Sequence, residues 1–250
     1  MSLKYLVFLF GMFCLSAILQ AQSCRDSFSY KAPADLSRLK KLDVWATQYF
    51  IHQFTSSGTI PILDENGHST GLFADTCNFC AAALEGTAFI SDSSGRIFVL
   101  NFAGRWHDTL VNCRLCKSYS NSTLQVEDWG RALWTFSSGF GLGVKGYQLQ
   151  PYRTIAVDNN FLPYGSVVFV PALKGQIIEL PDGKKVVHDG YLFAGDTGGA
   201  IKGTHIDIFT GICKENPFPG IVQSIPSATF EIYLVTDPTI LASLMQLHAK

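Results

Sequence analysis

From position 154 onward the chain is a succession of short apolar runs broken by glycine, proline and aspartate. Thr154–Val157, Ser166–Pro171, Gln176–Leu180, Tyr191–Ala194, His205–Phe209 and Thr229–Val235 are rich in β-branched and aromatic residues and read as strands. Pro181-Asp-Gly183 is a turn between two of them. Many short strands with few helices predict a β-barrel rather than a doubly wound sheet. A charged acid inside such a strand costs several kcal/mol (roughly) unless something compensates it. Yet Asp158 ends Arg153-Thr-Ile-Ala-Val-Asp158, and Asp196 and Asp207 flank a glycine-rich bend between two strands. Three such acids predict a polar site built into a β core.

The upstream half is more mixed. Asp35 is placed to cap a short helix through Leu36, Leu39 and Leu42, and Val44–Ile51 reads as a strand. Residues 56 to 71 carry Ser, Gly, Pro and Asn and read as a loop. Asp75 is placed to cap a helix over Cys77–Leu84 that Gly86 ends. Asp92-Ser-Ser-Gly95 predicts a hairpin turn between strands Thr87–Ile90 and Arg96–Phe102. A helix is expected from Trp129 to Phe136, and another after Pro238 with Ile240, Leu241, Leu244 and Leu247 on one face. The glycine-rich stretch 139 to 143 reads as a connecting loop or a border of the site.

The 250 residues are 47% hydrophobic and 16% charged, enough apolar material for one large or two small domains. The net charge of −1 offers no electrostatic footprint for nucleic acid. Lys4 followed by apolar Tyr5–Leu19 and the small-residue site Leu19-Gln-Ala21 reads as a signal peptide over 1 to 21, with a leader over 22 to 43. Cys24 is an alternative anchor point, as a lipidated first residue. No transmembrane segment is expected in the mature chain, which is read as exported to the periplasm or beyond. Nothing in the sequence sets an oligomeric state.

Removing the signal leaves Cys24, Cys77, Cys80, Cys113, Cys116 and Cys213. In an oxidising compartment these favour disulfides. The Cys77-x-x-Cys80 and Cys113-x-x-Cys116 spacings also fit a four-thiolate zinc site, and Cys77-Asn-Phe-Cys80 fits a redox pair.

The acids carry the strongest motif signal. Arg153-Thr-Ile-Ala-Val-Asp158, Leu162-Pro-Tyr-Gly165, Asp196-Thr-Gly-Gly-Ala-Ile-Lys-Gly203 and Ile206-Asp-Ile-Phe209 resemble, in order and spacing, the three-aspartate (3D) domain. That domain forms the catalytic barrel of the membrane-bound lytic transglycosylase A family and of small secreted muralytic proteins. The resemblance is close over about 150 to 212 and faint upstream, where Thr47 and Gly86-Thr-Ala88 are echoes. The family's Thr-Ala-Tyr start is replaced here by Ala46-Thr-Gln-Tyr49.

The resemblance implies a mainly β fold, a six-stranded double-psi β-barrel, over 44 to 250. Its early strands are expected from 44 to 102, with an insertion or accessory α+β region at about 103 to 150. It implies a peptidoglycan glycan strand as partner and no cofactor. The implied reaction is cleavage between N-acetylmuramic acid and N-acetylglucosamine with formation of a 1,6-anhydro end, Asp207 being the general acid. Asp158 and Asp196 would tune Asp207 or hold the saccharide; Thr197, Gly198, Gly199, Lys202 and Thr47 are the remaining substrate-binding candidates. Grouped carboxylates fit an acid that stays protonated near neutral pH, because neighbouring charges repel. His205 alternates with Ile206 and is expected to face away from the core or to help order the site, and Arg153 to pair with a carboxylate. The alternative is a non-catalytic glycan-binding module on the same barrel.

Overall fold

The computed structural model describes residues 26–250; the signal-like segment and Cys24 lie outside the described residues. Strand β1 (Lys40–Tyr49) is followed by β2 (His52–Thr55), the hairpin β3 (Ile60–Leu63) and β4 (Ser69–Ala74), and helix α1 (Thr76–Glu85). Next come β5 (Thr87–Ser91), β6 (Ile97–Arg105), the short helix α2 (Val126–Trp129) and β7 (Ala132–Ser137). The second half holds β8 (Thr154–Ala156), β9 (Val167–Phe169), β10 (Ile177–Glu179), β11 (Lys185–Val187), β12 (Tyr191–Asp196), β13 (His205–Phe209), β14 (Phe230–Leu234) and α3 (Pro238–Leu247).

Six strands close a barrel in the order β1-β13-β8-β12-β9-β14, the six-stranded barrel that the motif resemblance implies. The β1/β13 and β8/β12 pairs are parallel and the other four antiparallel. Parallel neighbours need long crossovers, so sequence-distant segments become adjacent. Alternation along each strand sorts the side chains. Val44, Ala46, Ile155, Leu192, Ala194, Ile206, Ile208 and Ile232 fill the interior. Trp45, Thr47 and Tyr49 of β1, and His205, Asp207 and Phe209 of β13, therefore share the outer wall.

The crossover between β1 and β8 is a second lobe. Of the strands expected to enter the barrel from 44 to 102, only β1 does so. The rest join a separate sheet, ordered β2-β5-β6-β7, beside the β3/β4 hairpin. The reason is a core of their own: Ile62, Phe79, Ala88, Ile90, Leu100 and Trp134 are nearly solvent-free and pack together with α1. The accessory region is thus larger than 103 to 150 and begins directly after β1. Two local expectations also change. Residues 56 to 71, expected as a loop, contain β3 and the start of β4. The helix expected over Trp129–Phe136 stops at Trp129, and Ala132–Ser137 pairs antiparallel with β6. The aromatic and β-branched side chains of that run suit a half-covered sheet better than a helix face. The chain passes close to the 111 segment at this break, where only glycine fits: a Cβ on Gly130 would lie 1.9 Å from the Val111 carbonyl oxygen.

Other local signals hold. The Asp75 carboxylate accepts from the Cys77 and Asn78 N–H groups at the start of α1, and Gly86 ends it at φ 77°. Asp92 closes the β5/β6 hairpin. Asp35 caps only a single 3-10 turn, Leu36–Arg38, and Leu42 joins β1 instead. Cys77–Cys116 and Cys80–Cys113 are disulfides, with Cα atoms 5.5 and 5.7 Å apart, so each Cys-x-x-Cys pair is bonded to the other. They staple α1 to the 113–116 turn. All four sulfurs of the alternative zinc site are used in these bonds.

Arg153 is fully buried beneath the barrel wall. Its guanidinium donates to Asp26, to both oxygens of Asp189 at 2.7 and 3.1 Å, and to the Tyr191 carbonyl. It ties the leader segment to the β12 end of the barrel, as its expected pairing with a carboxylate requires. Removing only the cation would strand two buried carboxylates. Arg153→Met is expected to cost about 3–5 kcal/mol in urea unfolding. Replacing Cys80 and Cys113 together by Ser is expected to cost about 2–4 kcal/mol, measured the same way.

Candidate active site

The β1/β13 register sets Thr47 opposite Asp207. The Thr47 hydroxyl donates to Asp207 Oδ1 at 2.7 Å and also lies 2.9 Å from His205 Nε2. His205 in turn stacks on Trp45, ring centroids 3.6 Å apart and planes 8° from parallel. On the other side of β13, β8 brings Ala156 opposite Asp207, and the same Ala156 is the partner of Asp196 on β12. The two acids thus flank one alanine, with their Cα atoms two strand spacings apart, roughly 10 Å. A register shift between Ala194 and Asp196 places a bulge at Gly195. Such a bulge re-aims the next side chain. Asp196 turns toward the outer wall, where the Tyr49 hydroxyl donates to its Oδ2 at 2.8 Å and the Thr197 N–H to its Oδ1 at 2.8 Å.

The second lobe converts this patch of wall into a groove of about 800 Å³. Tyr49, Ala156, Asp196, Gly198, Gly199 and Asp207 line the barrel side. Glu85, Phe102, Trp129, Leu142 and Gly143 face them from the lobe and the returning loop. That loop is held close by Asn101, which donates to the Leu142 carbonyl and accepts from the Leu142 N–H, both at 3.0 Å. A Cβ on Gly143 would meet the Gly195 carbonyl oxygen at 2.2 Å, so only glycine lets the loop lie this near Asp196.

Burial decides the electrostatics. Asp207 and Asp196 line the groove and are otherwise largely buried. Burial raises Asp207 to about 7; the Thr47 hydrogen bond opposes this and the Asp196 charge adds to it. Burial raises Asp196 to about 6, against the stabilising bonds from Tyr49 and Thr197. Two adjacent acids are thereby pushed apart in acidity, so that near pH 7 one holds a proton more readily than the other. Burial also lowers His205 from its usual value, so it stands neutral beside Thr47.

The expected residues divide. Asp207, Asp196, Thr47, Thr197, Gly198 and Gly199 come together here. Asp158 does not: its carboxylate accepts from the Gly203 and Asn160 N–H groups, each at 2.9 Å. Those bonds hold its pKa below the usual carboxylate range. It stitches the turn before β13, which steadies the strand carrying Asp207. Lys202 is exposed and acts on Asp158 rather than on the groove. Among the described residues no group of His, Cys, Asp or Glu is arranged to hold a metal ion. Tyr49 was legible only as one aromatic among several, and Glu85 and Asn101 carried no sequence signal of their own.

Residues 153–221 match the family model of the 3D domain. The chain carries a 3D domain. Its match covers β8 to the turn after β13, and so includes both groove aspartates. No curated protein matches the chain. Among solved structures, E. coli MltA with bound chitohexaose is similar at a TM-score of 0.51, with 16% identity over 78% of this chain and 72% of that one. A membrane-bound lytic murein transglycosylase from Agrobacterium tumefaciens follows at 0.49, with 17% identity over 81% and 76%. MltA from Neisseria gonorrhoeae stands at 0.48, with 14% identity over 79% and 74%. At 16% identity the likeness to the chitohexaose-bound structure establishes a shared fold. The matched 3D domain supplies four of the six barrel strands, β8, β9, β12 and β13; β1, β14 and the disulfide-stapled lobe lie outside the match.

The raised pKa of Asp207 has a cost. An unfolded aspartate ionises near pH 3.9, but the folded one resists until about 7. Its contribution to stability is complete below about pH 4 and is lost as pH rises through 7. Asp207→Asn is therefore expected to raise the melting temperature at pH 8 and to leave it nearly unchanged at pH 4, as scanning calorimetry at the two pH values would show.

Proposed function

We propose that this protein is an exported lytic transglycosylase of peptidoglycan, cutting the bond between N-acetylmuramic acid and N-acetylglucosamine in the groove. The observation that carries this reading is Asp207: an acid whose pKa burial raises to about 7, so that it keeps a substantial protonated fraction near neutral pH, on the wall of a groove of about 800 Å³. A glycosidic oxygen is a poor leaving group until protonated, and the transition state carries positive charge on the sugar ring. Asp207 donates its proton to that oxygen. Asp196, the stronger acid of the two, remains largely ionised and stabilises the ring charge. The C6 hydroxyl of the same sugar attacks C1 and gives its proton to the Asp207 carboxylate. The products are a 1,6-anhydro sugar and a free hydroxyl on the departing chain, with Asp207 returned to its starting state. No water is consumed, so one acid serves both transfers.

Thr47 supports this role by holding one oxygen of Asp207 in place, with His205 and Trp45 bracing the threonine. Gly198 and Gly199 leave their own stretch of the barrel side without side chains, and Thr197 offers a hydroxyl to the sugar. The two disulfides support a working compartment that is oxidising. In keeping with this, no helix among the described residues is long and apolar enough to cross a membrane.

Digestion of purified sacculi, followed by mass spectrometry, tests the reaction. The expected products are 1,6-anhydro-muropeptides, lighter by one water than hydrolysis products. Asp207→Asn is expected to reduce their rate of release by about 10²–10⁴-fold. The wild-type rate should fall as pH rises through about 7, since the acid must be protonated to act. Reducing-end products would sink the transglycosylase reading, and binding to sacculi with no released product would favour a binding module on the same barrel.

A further inference from the structure

Glu85 is the acid that neither the motif nor the barrel accounts for. It is the last residue of α1, immediately before the left-handed Gly86. A carboxylate there faces the negative end of the helix dipole, where a cation is normally favoured. It lines the groove with Asp196 and Asp207 but stands on the lobe side. Among the described residues its one hydrogen bond is accepted by Oε2 from the Phe50 N–H at 3.0 Å. That bond fixes the carboxyl at the end of β1, one residue past Tyr49, and leaves Oε1 for a ligand. A Gln at this position would satisfy the Phe50 N–H without burying an ionisable group.

We propose that Glu85 hydrogen-bonds the bound glycan through its remaining oxygen, Oε1, from the side opposite Asp207. Its partner is a hydroxyl or N-acetyl carbonyl oxygen of an N-acetylated sugar. This rests on the glycan reading above and names a further contact in the same groove. The geometry gives the role its shape: the barrel supplies the reacting acid, and the lobe supplies a donor that grips the sugar once both walls meet it. The surroundings agree. Burial raises Glu85 to about 8; the Phe50 bond and Lys214 oppose this, and the charge of Asp207 adds to it. Burial raises Tyr49 and Tyr119, so their hydroxyls stay neutral beside it. Arg105 and Asp128, also on the groove, are ion-paired to one another at 3.6 Å.

Calorimetric titration of chitohexaose into the full chain tests this, with Asp207→Asn present throughout to prevent turnover. Glu85→Ala is expected to weaken Kd roughly tenfold, and Glu85→Gln, which keeps a donor, by less than about threefold. With Glu85 present, affinity should decline as pH rises toward 8, the decline setting in below the wild-type value of about 8 because Asp207→Asn removes a charge that helps raise Glu85; with Glu85→Gln it should stay level across that range. Asp196 titrates lower, near 6, and Asp207 has been replaced, so neither produces that decline. Should Glu85→Ala fail to fold, judged by its melting curve, the pH comparison between Glu and Gln decides alone. Equal affinity of Glu85→Ala and its parent, or the same pH response with Gln, would overturn the proposal while leaving the cleavage reading intact. Failure of the Glu85-bearing protein to bind chitohexaose, together with no release of muropeptides by wild type, would remove both.

Discussion

The parallel pairing of β1 with β13 is the contact on which the site depends. These strands lie about 160 residues apart in the chain, yet their register sets Thr47 against Asp207 and Tyr49 against Phe209. Period-two alternation then does the sorting. Val44, Ala46, Ile206 and Ile208 turn into the barrel, and the polar set turns out. A slip of one residue would bury Asp207 among the aliphatic side chains and expose Ile206. The aliphatic interior therefore holds the polar site in place.

An outer wall alone would leave the two aspartates in open water, with ordinary acidities. The lobe between β1 and β8 changes that. Its sheet packs Phe89 and Val99 against Tyr49, Ala156 and Phe209 of the barrel, and its far side is closed by α1 and the two disulfides. Asn101 pins the returning loop, and Gly143 lets it pass beside Asp196. The groove is thus made by two independently cored halves meeting on one wall. The dense protein around the carboxyls is what raises Asp207 and Asp196.

Much of this was legible in the chain. The turn chemistry at Asp92–Gly95, the cap at Asp75 and the glycine at 86 each act through local backbone geometry, and each stands where the residues place it. The acids Asp196 and Asp207 stood out because charge in an apolar strand demands a reason. Asp158 carried the same signal for a different reason: its carboxylate serves two backbone N–H groups in a turn, a role that looks identical in sequence. The lobe is not legible in the chain, because strands at 87 to 102 have the same local character whether they join a barrel or a sheet of their own.

The sequence by itself determined the class of fold, the boundaries of most strands, the pairing tendency of the cysteines and the motif that holds two of the site's acids. Those properties rest on short-range physics: periodicity, capping, turn residues and the cost of an unpaired charge. Tertiary structure alone decided which acids meet, how acidic each one is, and that Glu85 and Tyr49 join them. Acidity and proximity depend on solvent exclusion and on register between distant strands, and neither is written in any local stretch of residues.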